Sequence, residues 1–108
     1  MIVAVGGITL KSNRGQIRFL WYALKSLRQA KRSEGCLHAA IFRHADVYVA
    51  LSVWETEKAM RAFGASDGHT MAVRKTRHIV KSAINHSYTT ISLPTRDAAI
   101  SEWLKATA

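Results

Sequence analysis

The sequence predicts an α+β fold of the ferredoxin-like, split-βαβ type, and two observations support this prediction. The apolar residues alternate between a period of about 2, typical of strands, and a period of about 3.6, typical of helices. In chain order these segments form β-α-β-β-α-β and a terminal helix, with Ala45-Asp46 as a tight hairpin turn. A four-stranded antiparallel sheet with helices on one face leaves its other face bare, so we expect a homodimer whose two sheets form an α+β barrel.

Length and composition favour one domain over residues 1–108. The single cysteine, Cys36, excludes an internal disulfide and a cysteine-based metal cluster, and it favours a reducing compartment. The apolar start Met1–Leu10 lacks a preceding basic region and is a poor signal peptide. No run approaches the ~20 apolar residues that span a bilayer. We therefore expect a cytoplasmic protein without a membrane span.

The chain is strongly basic. It carries 16 Lys and Arg against 7 Asp and Glu, a formal net charge of +9. This balance suits an anionic partner, which could be nucleic acid, a membrane surface or an acidic small molecule. Charge alone supplies non-specific attraction, and a solvated basic face is the simpler alternative. The glycine-and-aromatic signature of an RNA-recognition sheet is absent from the sequence.

The first strand and the first helix are predicted at Met1–Leu10 and Gln16–Ser33. The pair Gly6-Gly7 within the strand indicates a bulge or a close backbone approach. Ser12 or Asn13 is the expected helix cap. The predicted core stripe of the helix is Ile17, Leu20, Leu24 and Leu27, flanked by Phe19, Trp21 and Tyr22, and its predicted basic face is Arg14, Arg18, Lys25 and Arg32.

The next two strands are predicted at Cys36–His44 and Val47–Trp54, after a left-handed cap at Gly35. In the second of them the valines and Leu51 share one face, whereas Tyr48, Ser52 and Trp54 share the other. If the valines pack on helices, the Tyr48 and Trp54 face is the bare one. We expect that face, with Phe42 or Ile41, to supply the dimer contact and the cavity.

The remaining elements follow from caps and periodicity. Glu55, Thr56 and Glu57 suit the first turn of a short helix that reaches Phe63. Ser66 is the expected cap of a helix over Asp67–Lys81, and Ile84–Leu93 is the predicted fourth strand. Thr95 is the expected cap of a terminal helix over Arg96–Ala106.

The stretch from Val47 to about residue 73 resembles the antibiotic-biosynthesis-monooxygenase-like group of dimeric α+β barrels, and within it a spheroidene-monooxygenase-like branch. The resemblance is carried by the strand ending in Trp54-Glu-Thr-Glu, by Ala59-Met-Arg-Ala-Phe63 and by Ser66-Asp-Gly-His69. It implies the same fold and dimer. For activity it implies a cofactor-free oxygenase, a haem-degrading enzyme or a protein without catalysis.

The resemblance also directs attention to specific side chains. In haem-degrading members a Trp at the end of this strand distorts the porphyrin and a helical His binds the iron. Trp54 matches the first position and His69 the second, although the spacing between them is longer, and Ala4-Val5-Gly6 stands where those enzymes have a first-strand Asn. The predicted catalytic residues are His69 and Trp54, and the predicted pocket residues are Tyr48, Ser52, His38, Phe42 and His86.

These observations lead to a functional hypothesis with two alternatives. The hypothesis is a small monooxygenase, cofactor-independent or haem-linked, that acts on a planar apolar or anionic molecule in a sheet-lined cavity. His69 would serve as base, hydrogen-bond donor or iron ligand. The alternatives are a non-catalytic ligand-binding dimer of the same fold and a basic nucleic-acid-associated module. No histidine pair, including His38 and His44, has the spacing of a zinc motif, so we expect no metal site.

Overall fold

The computed structural model describes residues 1–107. Its strands and helices are β1 (Ile2–Leu10), α1 (Gln16–Arg32), β2 (Cys36–His44), β3 (Val47–Trp54), α2 (Glu57–Gly64), α3 (Asp67–Thr76), β4 (Val80–Thr89) and α4 (Arg96–Thr107). Short 3-10 turns at Asn13–Gly15 and Arg77–Ile79 precede α1 and β4. None of the helices between residues 1 and 107 has the length and apolar character needed to cross a membrane.

The strands form one antiparallel sheet in the order β2-β3-β1-β4, so the predicted ferredoxin-like fold is confirmed. The central strand β1 places Val3 opposite both Val53 of β3 and Tyr88 of β4. Strands β2 and β4 are the edges, and within one chain the sheet is open. A barrel would therefore need a second copy, and the dimer stays a prediction.

The local signals act in part as the sequence predicts. Glu57 lies in the first turn of α2 as expected, whereas Thr56 precedes the helix as its N-cap, and its hydroxyl accepts a hydrogen bond from Ala59 N at 3.1 Å. Thr95 caps α4 in the same way, through Ala98 N at 3.1 Å. Gly35 has φ of +82°, the predicted left-handed conformation, but it lies in the turn after the helix, where Cys36 N donates to Ser33 O at 3.2 Å, and the C-cap of α1 is Ser33.

Other caps were predicted wrongly. Gly15, with no side chain, occupies the N-cap position of α1, because residues 13–15 already form a 3-10 turn. Ser66 is the N-cap residue of α3, yet its hydroxyl donates to Phe63 O at 2.6 Å instead of capping the helix. That bond ties α3 to the end of α2.

The boundary between α3 and β4 also differs from the prediction. The helix ends at Thr76 rather than Lys81, and the strand is Val80–Thr89 rather than Ile84–Leu93. The reason is pairing with β1, whose ends Leu10 and Ile2 lie opposite Val80 and Thr89. Thr90 still exchanges two backbone hydrogen bonds with Met1, at 2.9 and 3.0 Å, and residues 91–93 extend past the start of the chain, where β1 offers them no partner.

The two sheet faces are covered in the reverse of the expected way. The valine face, defined by Val3, Val5, Val49, Leu51 and Val53, packs against Ala99 and Trp103 of α4. The Trp54 face, which carries Tyr48, Ala50, Ser52 and Trp54, lies under α1 and α2. The expectation that all helices share one face therefore holds for α1, α2 and α3 and fails for α4. The Trp54 face is not the bare one.

Helix α1 is rotated relative to the predicted stripe. Phe19 and Ala30 are buried, whereas Ile17 is 84% and Leu24 is 49% exposed. The rotation lets Phe19 pack on the Tyr48 ring at 5.1 Å between centroids and lets the small Ala30 pack against buried Trp54. These contacts with Tyr48 and Trp54 of β3 determine which side of α1 is buried, and an apolar row remains at the surface.

The predicted close backbone approach is found at Gly7. A side chain at this position would overlap the Trp103 ring, because α4 lies directly over β1 there. The Trp103 indole N–H donates to Ile84 O at 2.8 Å, which fixes the ring between β1 and β4. The register shift of β1 lies further on, between Thr9 and Leu10.

Candidate functional site

A cavity of about 430 Å³ lies between the Trp54 face of the sheet and the helices α1 and α3. Its small lining residues are Ala23, Ser26, Ala30, Ala39, Ala50, Ser52, Ala72 and Ala83, and its larger ones include Ile8, Phe19, Leu27, Tyr48, Phe63, His69 and Thr76. Alanines and serines face one another from both layers, so the layers stay apart without filling the space. The volume falls in the range of sites for small organic molecules.

His69 lies on the wall formed by α3. Its Nδ1 atom is 3.3 Å from the Ser26 hydroxyl of α1, and its ring lies 5.0 Å from the Phe63 ring. Burial lowers the pKa of His69 below its ordinary value of 6.5, because an apolar site disfavours the charged imidazolium. At neutral pH the imidazole is therefore uncharged. Since Nδ1 faces Ser26, Nε2 is the atom left to contact a bound molecule.

Trp54 stands behind the cavity wall rather than in it. It is fully buried, its ring stacks on Phe63 at 5.3 Å and 27°, and its indole N–H donates to the Ser52 hydroxyl at 2.9 Å. Phe63 and Ser52 both line the cavity. Trp54 thus positions two lining side chains, and the row Trp54, Phe63, His69 connects β3 to α3.

Tyr48 lines the opposite end with an unusual hydroxyl. The residue is 7% exposed, and its hydroxyl is buried without a hydrogen-bond partner among residues 1–107. The ring is held by Phe19 on one side and by the Arg43 guanidinium, 5.4 Å from the ring centroid. The hydroxyl itself is shielded, so the ring is the part of Tyr48 that lines the cavity, and leaving the buried hydroxyl unpaired costs stability.

The charged side chains that line the cavity are Arg77 and Lys81. They come from the 3-10 turn after α3 and from the start of β4, next to lining residues Val80 and Ala83. No Asp or Glu is among the described lining residues. The cavity therefore combines apolar walls with positive charge at one side, a combination that suits an aromatic molecule carrying an anionic oxygen.

The structure brings together some of the predicted site residues and separates others. Tyr48, Ser52 and His69 line the cavity, whereas His38, Phe42 and His86 lie opposite Val53, Val49 and Val5 and therefore share the valine face. A register shift between Cys36 and His38 puts Cys36 on the face of Ala39, which simple alternation does not predict.

Sequence reasoning missed Ser26, Phe63, Arg77 and Lys81 as lining residues. Ser26 could have been found from the sequence, because Ala23, Ser26 and Ala30 follow the helical spacing of one face and are all small. No sequence pattern indicated Arg77 and Lys81, since both were assigned to a helix that in the structure ends at Thr76.

Metal and haem binding can be compared with the donors that are present. Across residues 1–107 no group of three or more His, Cys, Asp and Glu side chains is arranged to hold a metal ion. A haem needs a neutral axial imidazole, apolar walls and cations for its propionates. His69, the aromatic walls, and Arg77 with Lys81 are of these types.

Comparisons with known proteins agree with this architecture. The chain is similar to a proposed antibiotic biosynthesis monooxygenase of Nitrosomonas europaea, with 14% identity, 85% of this chain and 100% of that chain covered, and a TM-score of 0.79. A proposed monooxygenase of the same kind from Deinococcus radiodurans has 16% identity, coverage of 88% and 97%, and a TM-score of 0.78. SnoaB, a cofactor-independent oxygenase from Streptomyces nogalater, has 17% identity, coverage of 85% and 94%, and a TM-score of 0.72.

At these identities the likeness concerns the fold. No curated protein matches the sequence significantly. The family model for antibiotic biosynthesis monooxygenases matches residues 1–75, which is well over half of the chain and includes β1 through most of α3. The protein belongs to the antibiotic biosynthesis monooxygenase family.

Proposed function

We propose that the protein is a cofactor-independent monooxygenase that acts on a planar aromatic molecule bearing an acidic, oxygen-containing group. The observation that carries this proposal is the neutral His69 imidazole on the wall of an apolar cavity, with Arg77 and Lys81 among its lining residues. Family membership and the fold shared with a cofactor-independent oxygenase support the same reaction class.

His69 would act as the general base. An uncharged imidazole accepts a proton from an activated methylene or hydroxyl group of the substrate at neutral pH. Arg77 and Lys81 would stabilise the resulting delocalised anion. The apolar walls exclude the water that would otherwise reprotonate it.

The anion would then reduce molecular oxygen directly. An activated methylene becomes a carbonyl, with one oxygen atom retained in the product and the other released as water. The substrate supplies all four electrons, so the stoichiometry is one O2 consumed for each carbonyl formed. Ser26 would position His69 through Nδ1, leaving Nε2 for the substrate.

The test is oxygen uptake by the purified protein with a tricyclic anthrone as the probe. We expect His69→Asn to lower kcat at least about 100-fold, the usual contribution of a general base. Ser26→Ala, which keeps the imidazole but removes the partner of its Nδ1 atom, should give a smaller loss of kcat than His69→Asn. Equal uptake by wild type and His69→Asn would contradict the role of His69. Saturable anthrone binding without uptake would favour the non-catalytic ligand-binding alternative.

A haem-linked activity is the second candidate, because His69 offers an uncharged imidazole beside apolar walls. His69 would hold the iron, and Arg77 with Lys81 would hold the propionates; the haem would supply oxygen activation. A haemin titration followed by absorbance, with His69→Ala alongside, tests this. A saturable Soret shift that is lost in the variant would support haem binding by His69, and a featureless titration would exclude haem binding.

The homodimer is proposed through the surface of the valine face that α4 leaves uncovered. Ile84 of β4 is 46% exposed and Leu104 of α4 is 47% exposed, while the neighbouring Tyr88 hydroxyl is buried without a partner among the described residues. Sedimentation equilibrium should give twice the chain mass, and Ile84→Lys should shift it toward the chain mass. The exposed change Lys58→Glu on α2 is the control.

A further inference from the structure

We propose that the protein docks on anionic lipid bilayers through the outer face of α1. This surface is formed by the apolar residues Ile17, Trp21 and Leu24 and the cations Arg18, Lys25 and Arg28. The inference does not depend on what the cavity binds, because these side chains point away from it.

The apolar row is exposed to an extent that the fold does not require. Ile17, Trp21 and Leu24 are 84%, 61% and 49% exposed. Their spacing of i, i+4 and i+7 puts them on one side of the helix, opposite the buried Phe19 and Ala30. An aliphatic and aromatic row of this kind is what an interfacial helix inserts beneath lipid headgroups.

The cations border that row and are not neutralised. Helix α1 contains no Asp or Glu, and the ion pairs within residues 1–107 lie on α2 and α4. Lys25 Nζ lies 5.2 Å from the Trp21 ring centroid, and Arg18 Nε donates to Lys75 O at 3.1 Å. The charges are thus held beside the apolar side chains, where lipid phosphates and carboxylates would meet them.

Charge complementarity favours an anionic bilayer over a second copy of the chain or a nucleic acid as the partner of this surface. A second copy of this face would place α1 cations against α1 cations, which repel. A nucleic acid would pair with the cations but leave Ile17 and Leu24 in water. An anionic bilayer satisfies both groups at once, since its headgroups attract Lys and Arg while its interface takes up Trp and aliphatic side chains.

Vesicle flotation tests the proposal. Vesicles of phosphatidylcholine with about 30% phosphatidylserine should bind the protein, and pure phosphatidylcholine vesicles should not. Replacing Ile17 and Leu24 by Ser should weaken binding at least about tenfold, because the buried apolar area is lost. The matched control replaces Ile91 and Leu93, which are 97% and 54% exposed in the β4–α4 connection, by Ser and should bind like wild type.

Reversing the charge of α1 cations is an independent test of the lipid-binding surface. Lys25→Glu with Arg28→Glu should weaken binding at least about 25-fold, at about fivefold for each charge removed. Lys11→Glu with Lys58→Glu makes the same change in net charge on exposed residues elsewhere and should have a small effect. Equal losses in both pairs would overturn the proposal, because net charge rather than this surface would then explain binding.

Tryptophan fluorescence tests whether the outer face of α1 is the part of the protein that contacts the bilayer. Trp54 and Trp103 are buried, so Trp21 is the tryptophan that lipid can reach directly. We expect a blue shift and quenching by brominated lipid with anionic vesicles, both lost in Trp21→Phe. Unchanged fluorescence on bound vesicles overturns the proposal. Tight binding of a labelled single-stranded oligonucleotide, lost on charge reversal but not in the Ile17 and Leu24 variant, would also overturn it in favour of nucleic acid.

Discussion

The two faces of the sheet differ in how completely their side chains fill the space under the helices. On the valine face, branched residues of β1 and β3 pack against Ala99 and Trp103 of α4, and Val3 and Val53 are wholly buried. On the Trp54 face, Ala50 and Ser52 meet small residues of α1 and leave a cavity of about 430 Å³. Strand β3 contributes to both faces. Alternate residues along it therefore either pack in the core of the valine face or line the cavity on the Trp54 face.

The difference lies in side-chain volume rather than in polarity. Both faces are mainly apolar, but on the valine face branched residues and Trp103 fill the space, whereas on the Trp54 face small residues of the sheet meet small residues of α1 around the cavity. Filling the interior stabilises a fold through dispersion and removal of apolar surface from water. An unfilled interior, as on the Trp54 face, lacks this stabilisation, and a bound ligand can provide it by filling the cavity. Four predictions test this contrast.

The largest effect is expected on the valine face. Trp103→Ala should lower the free energy of unfolding by about 3–5 kcal/mol, since it removes a buried ring and leaves a void beside Gly7. Urea denaturation measures this change. Leu104→Ala, on the same helix but 47% exposed, is the control and should cost far less. Similar losses in the two variants would mean that α4 does not anchor the valine face.

Adding volume on the Trp54 face should act on binding instead. Ala50→Leu places three more carbons in the cavity and should change the free energy of unfolding by less than about 1 kcal/mol. It should weaken binding of anilinonaphthalene sulfonate, an aromatic anion, about tenfold or more, as followed by its fluorescence. A folded Ala50→Leu variant that binds the dye as tightly as wild type would show that the dye does not bind in the cavity.

Each face carries one buried tyrosine hydroxyl without a partner among the described residues, Tyr48 on one and Tyr88 on the other. Changing either to Phe removes an unsatisfied polar atom and should stabilise the chain by up to about 1 kcal/mol. Neither change should alter binding of the dye by more than about twofold, since both hydroxyls are buried and Phe keeps the ring that lines the cavity at position 48. A several-fold loss in Tyr48→Phe alone would show that its hydroxyl contacts the dye.

The smallest effect concerns pH. Because burial lowers the pKa of His69 in the folded chain, the unfolded chain binds the proton more readily below the ordinary pKa of 6.5. The contribution of His69 to stability is therefore constant above that range and declines as pH falls through it, until the folded pKa is passed. Chemical denaturation across this range should show the decline in wild type and a weaker one in His69→Asn. Equal declines in wild type and His69→Asn would contradict this assignment.

Much of the fold could be predicted because its signals are local. The period-two strands, the Thr56 and Thr95 caps and the left-handed Gly35 each depend on a few neighbouring residues. The end of α3 could not be predicted in this way. Residues 77–81 are compatible with a helix, and the pairing of Leu10 with Val80 across the sheet overrides that preference.

The candidate site was partly predictable for the same reason. His69, Tyr48 and Ser52 lie near the motif that carries the family resemblance, and they do line the cavity. His38, Phe42 and His86 were assigned to the pocket on the assumption that they shared its face. The register shift after Cys36 and the reversed placement of the faces invalidate that assumption.

The sequence alone determined the order of elements, the hairpin, the positive charge and the family, all of which follow from patterns within short segments. Tertiary structure alone decided which sheet face each helix covers, which side of α1 turns outward, and where the cavity lies. The physical reason is that both faces of β3, and two sides of α1, are apolar enough to be buried. The choice between them depends on how the volumes of side chains distant in sequence fit together, as Ala30 fits over Trp54 and Trp103 fits over Gly7.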